Sequence, residues 1–345
     1  MRMKRQTNIK KIFWLFRFWW IGGIALLFLT SCGGGEEKEK TSIRIGVSLY
    51  RGDDTFINNI RGELENCAKE YEQKYGVKVT LDIQDAKGSQ NTQNNQVERF
   101  ISLGCDVLCI NPVDRTAASG MIDRAMNAKI PVVFFNRQPV EEDMERWNEV
   151  YYVGAAAKES AVLQGSIVVD KYREDPKSLD KNGDGVVSYV LLEGESSHQD
   201  SLIRTEWSIQ TLKDGGVPIE KIAGGIANWE RSQASALMEQ WLEQYPDTIE
   251  LAVCNNDDMA LGALDAMERV KAKGICLVGI DATTPGLEAV YSGKLIGTVS
   301  SDKEQYAGAI FSIAAARALG QPVPESLCLE EGRYYWSPQK IVTNP

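Results

Sequence analysis

Residues 42–83 read SIRIGVSLYRGDDTFINNIRGELENCAKEYEQKYGVKVTLDI, and they set the plan of the whole chain. An apolar run at 43–49 passes into an amphipathic stretch at 58–74, and a second apolar run follows at 77–83. Helical spacing between two short β-type runs predicts a strand–helix–strand unit. The pattern repeats outward. Further strands are expected at 107–110, 131–135, 150–153, 186–192, 222–227, 249–254, 276–280 and 295–299. Helices are expected at 94–103, 117–127, 158–172, 204–214, 232–244, 257–271 and 303–319. The runs are apolar almost throughout, without strict alternation, which suits parallel strands covered by helices on both faces. The fold class is therefore α/β with doubly wound parallel sheets. Ten strands over about 300 residues exceed what one hydrophobic core normally holds, so two similar lobes are expected. The first takes four strands, and the polar break at 137–149 marks the first crossing. The helix after Asp302 returns to it. The first lobe thus comprises 42–138 plus 303–332, and the second 139–302 plus 333–345.

The N-terminal end bears on the compartment. Arg2, Lys4, Arg5, Lys10 and Lys11 precede an apolar run at 18–29, which has signal-peptide length and is short for a bilayer span. Leu29-Thr30-Ser31-Cys32 fits a bacterial lipobox, which implies a leader at 1–31, cleavage before Cys32 and lipidation of that residue. The polar segment 32–41 reads as a flexible tether. The expected location is extracytoplasmic, anchored by lipid to the outer face of the cell membrane, or the periplasm in a Gram-negative source. The chain carries 38 Lys+Arg and 48 Asp+Glu, and six of the basic residues but no acidic one lie within 1–31. Beyond the leader 32 basic residues face 48 acidic ones, a net charge of about −16. Such acidity argues against a nucleic-acid partner. It also argues against anionic lipid surfaces, except through the anchor.

Six cysteines follow Cys32: Cys67, Cys105, Cys109, Cys254, Cys276 and Cys328. None forms a CxxC pair, and four lie in or at the ends of apolar runs, which suits small core residues better than a disulfide framework or a thiolate metal site.

Polar and aromatic residues collect at the carboxyl ends of the expected strands, where open α/β sheets bind ligands. Asp53, Asp54 and Phe56 follow the first strand and Asn111 the third. His198, Asp200 and Arg204 follow the strand at 186–192, and Trp229 the next. Asn256, Asp281 and Ser301 stand at the remaining ends. Any one of them reads equally well as a helix cap, a turn residue or a packing residue. Together they supply carboxylates, carboxamides, a guanidinium, an imidazole and two aromatic rings to one cleft. A monosaccharide needs that mixture: its hydroxyl edge takes planar, charge-assisted hydrogen bonds, and its C–H faces take aromatic rings. No glycine-rich phosphate loop occurs at any strand end. An amino-acid ligand, which needs anchors for both ammonium and carboxylate, is less well matched.

The stretch Asp180-Lys-Asn182-Gly-Asp184-Gly-Val186-Val-Ser188 matches the first half of an EF-hand calcium loop. Its twelfth position is Leu191 instead of Glu, and a strand follows instead of a helix. A carboxylate from elsewhere must complete the site, or the loop is a polar turn.

These residues resemble the bacterial periplasmic galactose/glucose-binding proteins, over nearly the whole chain from Ser42. The stretches that carry the resemblance are YRGDDTF at 50–56, NPVD at 111–114, PVVFFN at 131–136, YYVG at 151–154 with KES at 158–160, GESSHQD at 194–200 with Arg204-Thr205, and NND at 255–257 with Met259-Ala260. The resemblance implies two lobes joined by a three-segment hinge, of the type I periplasmic-binding-protein kind. It places sugar contacts on Asp54, Asn111, His198, Asp200, Arg204, Asn256, Asp281 and Ser301, with Phe56 and Trp229 as the stacking pair. Asp54 corresponds to the group that accepts from the C4 hydroxyl of either glucose or galactose. The resemblance also implies a structural calcium ion held by Asp180, Asn182, Asp184, the Val186 carbonyl, Ser188 and Glu250. Ser301 stands where the family usually has Asn, and Ser188 where it has Gln. The implied function is a monomeric, lipid-anchored protein that delivers D-galactose or D-glucose to the permease of an ABC importer. The alternative is a sensor presenting the hexose to a chemoreceptor or membrane kinase. An enzyme using His198 and Asp200 as acid and base lacks a nucleophile motif and a second carboxylate placed across a bond. A repressor of related fold lacks a DNA-binding headpiece.

Overall fold

The structure is a computed structural model that describes residues 40–344. The expected leader at 1–31, Cys32 and most of the tether lie outside the described residues. Lys40–Pro345 clusters as one compact unit.

In the first half of the chain the order is β1 Ser42–Leu49, α1 Thr55–Tyr75, β2 Lys78–Asp85, α2 Gln90–Ser102 and β3 Val107–Ile110. It continues with α3 Ala118–Ala128, β4 Val132–Phe135, α4 Glu141–Met144 and β5 Val150–Ala155. The second lobe then begins with α5 Ala157–Glu174, β6 Val187–Glu193, α6 Gln199–Asp214, β7 Ile219–Ile226 and α7 Arg231–Gln244. Next come β8 Leu251–Cys254, α8 Asp257–Val270, β9 Cys276–Val278, α9 Thr284–Tyr291 and β10 Thr298–Ser301. The chain ends with α10 Lys303–Ala318, β11 Tyr334–Ser337 and β12 Gln339–Val342.

One sheet has the order β11-β5-β4-β3-β1-β2 and the other β7-β6-β8-β9, while β10 and β12 form an antiparallel pair. Every pairing within the two larger sheets is parallel. Burial explains why the strand runs are apolar throughout. Val133 and Phe135 of β4 point into one core with Ile43, Val47, Ile310 and Phe311, whereas Val132 and Phe134 point into the other with Phe100, Met121 and Ile122. In the second sheet Val190 and Leu192 of β6 join Met238 and Trp241, while Tyr189 and Leu191 join Ile167 and Leu212. Helix α10 comes back from the second lobe to cover the first sheet beside α1.

Two boundaries differ from expectation. The first sheet keeps a fifth strand, β5, whose Val132–Val150 register with β4 places it there. It also gains β11, which pairs with β5. The first crossing therefore falls after Ala155 and not within 137–149; that polar stretch instead holds α4 and the turn into β5. Residues 334–337 likewise belong to the first sheet, not the second lobe.

Among the described residues no helix is long and apolar enough to cross a membrane. The six cysteines after Cys32 are free thiols, with Cys105, Cys109 and Cys254 buried.

Candidate functional site

The carboxyl ends of both parallel sheets face one cavity, partly open to solvent. It is lined from the first lobe by Tyr50, Asp54, Phe56, Asn136 and Arg137, and from the second by His198, Asp200, Arg204, Trp229, Asn256 and Asp281.

Several of these side chains cap a helix and face the cavity at once. Asp54 caps α1, its Oδ1 accepting from the Ile57 N–H at 2.9 Å, while its other oxygen receives the Tyr50 hydroxyl. His198 caps α6, its Nδ1 accepting from the Asp200 N–H at 3.1 Å. That bond leaves Nε2 as the protonated nitrogen. Asn256 caps α8 through Oδ1, accepting from Met259 N–H at 2.9 Å, and its amide donates to the Trp229 carbonyl at 3.3 Å. Capping thus fixes each side chain while leaving lone pairs or a second polar atom for a ligand.

Arg204 stands at the centre of the second-lobe wall. It donates to the Asn255 carbonyl at 2.9 Å and lies 3.5 Å from Asp281 and 3.6 Å from Asp200. Burial pushes Asp281 well above the usual carboxylate range, against the pull of Arg204. Asp200 is raised for the same reason, with Arg204 and Arg137 opposing. Burial also drives His198 well below its usual value, reinforced by Arg137 and Arg204. The second-lobe wall is therefore a set of buried acceptors around the Arg204 guanidinium.

Trp229 packs edge-on to His198, with ring centroids 5.2 Å apart. A Cβ on Gly194 would meet its ring at 2.2 Å, so only glycine there lets the indole seat. Left-handed backbone carries the aromatic into place, with φ of 52° at Asn228 and 66° at Trp229, and Asp281 sits at φ 111°. Such backbone is tolerated where surrounding packing over-determines it, as at ligand clamps. The Nε atoms of Arg137 and Arg204, Trp229 Nε1 and Asn111 Oδ1 are buried without a hydrogen-bond partner. Native interiors leave few such atoms, and several around one cavity mark a place for an external partner.

Eight of the ten residues expected at a sugar site line the cavity. Asn111 is fully buried one layer back, its amide donating to the Phe135 carbonyl and to Asn136 Oδ1. Ser301 lies on β10, paired with Gln339, off the cavity wall. Asn136, Arg137 and Tyr50 stand on the wall without having been expected there as contacts. Asn136 and Arg137 follow β4 directly, so the strand-end rule that found the others could have found them too.

The loop 180–188 lies before β6, at the amino end of that strand. Asp180 accepts from the N–H groups of Gly183 and Gly185, Asn182 from Asp184, and Asp184 from Val186. Beneath them Glu250, 2% exposed, accepts from Lys181, Asn182 and Ser188 N–H groups. The oxygen donors of the loop are of the type a hard divalent cation takes, and Glu250 lies against the loop through its backbone N–H groups. Among the described residues, though, no three His, Cys, Asp or Glu side chains converge closely enough to form a metal cluster.

A family model described as "Periplasmic binding protein domain" matches residues 45–322. The chain is 33% identical over 299 residues, 86% of its own length and 88% of the other's, to a D-galactose/methyl-galactoside binding periplasmic protein of Haemophilus influenzae. It is 32% identical to a putative rhizopine-binding protein of Rhizobium meliloti, covering 81% of this chain and 84% of that one. Among solved structures it is similar to an ABC transporter solute binding protein from Bacillus halodurans with bound myo-inositol. That likeness has a TM-score of 0.72 at 29% identity and covers 89% of this chain and 96% of that one.

Proposed function

Because the chain belongs to the periplasmic binding protein domain family, we propose that it captures D-galactose or D-glucose in the interlobe cavity and hands it to an ABC importer. Membership makes it an extracytoplasmic solute-binding protein and not an enzyme. Relatives carry names for binding galactose, rhizopine, xylitol and ribose, and a similar solved structure holds myo-inositol. The hexose is the finer reading. The observation that carries it is the convergence of Asp54, Phe56, His198, Asp200, Arg204, Trp229, Asn256 and Asp281, from both sheets, on one cavity with unpartnered buried donors. Carboxylates and amides meet the hydroxyl edge, and Phe56 and Trp229 cover the faces. Contacts from both lobes favour the closed arrangement, which a permease recognises. The lobes would hinge at the three crossings, after β5, before α10 and between β11 and β12. We propose further that Cys32 carries the lipid anchor, that the protein works as a monomer, and that the 180–188 loop with Glu250 holds a structural calcium ion. A thermal-shift screen of monosaccharides tests the ligand: galactose or glucose should raise the melting temperature more than ribose, xylitol or myo-inositol. A shift with one of the latter alone would move the protein to another branch of the family.

A further inference from the structure

Arg137 leaves the end of β4 in the first lobe and makes a two-pronged ion pair with Glu195, which follows β6 in the second lobe, at 2.7 and 2.9 Å. The guanidinium lies 3.7 Å over the ring of Tyr50 and also donates to the Val113 carbonyl at 3.1 Å. Its side chain is 5% exposed, and Glu195 is 23% exposed. Tyr50 in turn donates its hydroxyl to Asp54. A continuous chain of contacts therefore runs Glu195–Arg137–Tyr50–Asp54, from one lobe, across the cleft, to a carboxylate on the cavity wall. A second cross-cleft pair, Arg51–Glu230 at 2.6 Å, sits at the mouth, where both partners are a quarter or more exposed and Arg51 is shared with Asp53.

We propose that Glu195 latches the closed cleft through Arg137, and that the Arg137–Tyr50 stack holds Asp54 in position for the ligand. The inference rests on the sugar-cleft reading above. A fork-shaped pair with a buried guanidinium gives geometric specificity that a single-bonded rim pair lacks. Opening the lobes separates Glu195 from Arg137, so the latch stabilises the closed arrangement and not the open one. Glu195 and Arg137 act as positioning residues, and loss of such a hydrogen-bonded pair with a buried guanidinium appears mainly in the off-rate.

The test uses the chain with galactose and glucose, read by stopped-flow binding, sugar-free melting temperature and small-angle scattering. Glu195→Gln should raise the off-rate about tenfold or more and reduce the compaction seen on adding sugar, with the sugar-free melting temperature unchanged. Tyr50→Phe keeps the stack but cuts the bond to Asp54. It should weaken affinity about fivefold or more while leaving compaction intact. Glu230→Gln, at the exposed mouth, should change the off-rate less than about twofold. An off-rate within twofold of wild type in Glu195→Gln, or a fallen sugar-free melting temperature in that variant, overturns the latch. An unchanged affinity in Tyr50→Phe overturns the link to Asp54. Absence of hexose binding by the wild-type chain would instead strike at the functional reading itself.

Discussion

Trp229 offers the clearest test at the scale of single residues. Its ring is wedged between His198 and the bare Cα of Gly194, so truncation removes apolar cover from the sugar without disturbing a core strand. Trp229→Ala should weaken hexose binding by roughly 1–3 kcal/mol with little loss of stability, measured by calorimetry and melting. Gly194→Ala should produce a similar loss by pushing the indole out. His198 gives a second test, because it is the one histidine in the chain. Its folded pKa is depressed below 6.5, chiefly by burial and then by Arg137 and Arg204. The native state then binds fewer protons than the unfolded chain below about pH 6.5, so this residue makes stability fall as pH drops through that window. Above that value it contributes no slope. The sugar-bound wild type should lose melting temperature relative to His198→Gln between about pH 6.5 and 5, and parallel curves would contradict the assignment. Most of these side chains were legible from the sequence because each follows an apolar strand, and Asp54, His198 and Asn256 double as helix caps. Asn111 and Ser301 also stand at strand ends, yet the structure sets both back from the cavity wall. Arg137 escaped because its polar neighbours read as a lobe crossing, when the stretch is a turn within the first lobe.

Among the elements, the loop 180–188 bears directly on the proposed calcium ion. Its carboxylates are already engaged by the loop's own N–H groups, which shapes the turn without requiring an ion. Glu250 carries three of those bonds, so changing it would disturb the loop by itself. Asp184→Asn is the cleaner probe, since an amide oxygen still accepts from Val186. An occupied site adds roughly 3–4 kcal/mol when calcium is 100- to 1,000-fold above its Kd. Chelation should therefore lower the melting temperature of the wild type clearly and of Asp184→Asn much less, with sugar affinity nearly constant in both. A melting temperature that ignores the chelator would remove the ion from the account. Elements with long apolar patterns, such as α1 and β1, were readable because the pattern and the burial coincide. β11 and β12 were not: residues 334–342 mix Tyr, Trp, Ser, Pro, Gln and Lys, and their strand state comes from pairing with β5 and β10, far away in sequence. α4 is a single turn and too short to show a period.

The whole molecule joins two parallel sheets whose carboxyl ends meet across one cavity, with the chain crossing between them three times. That arrangement was legible from the count of strands and from the order of polar strand ends, since ten apolar runs need more than one core. Which strands complete the first sheet was not, because sheet membership depends on long-range register. The central claim is that residues of both lobes grip one hexose. A calorimetric titration of galactose and glucose into the wild type, Asp54→Ala of the first lobe and Asp281→Ala of the second tests it most directly. The account predicts one site per wild-type chain and a loss of affinity of tenfold or more in each variant, as expected when a charge-assisted contact is removed. Full affinity in either variant, or no heat with either sugar in the wild type, would contradict it.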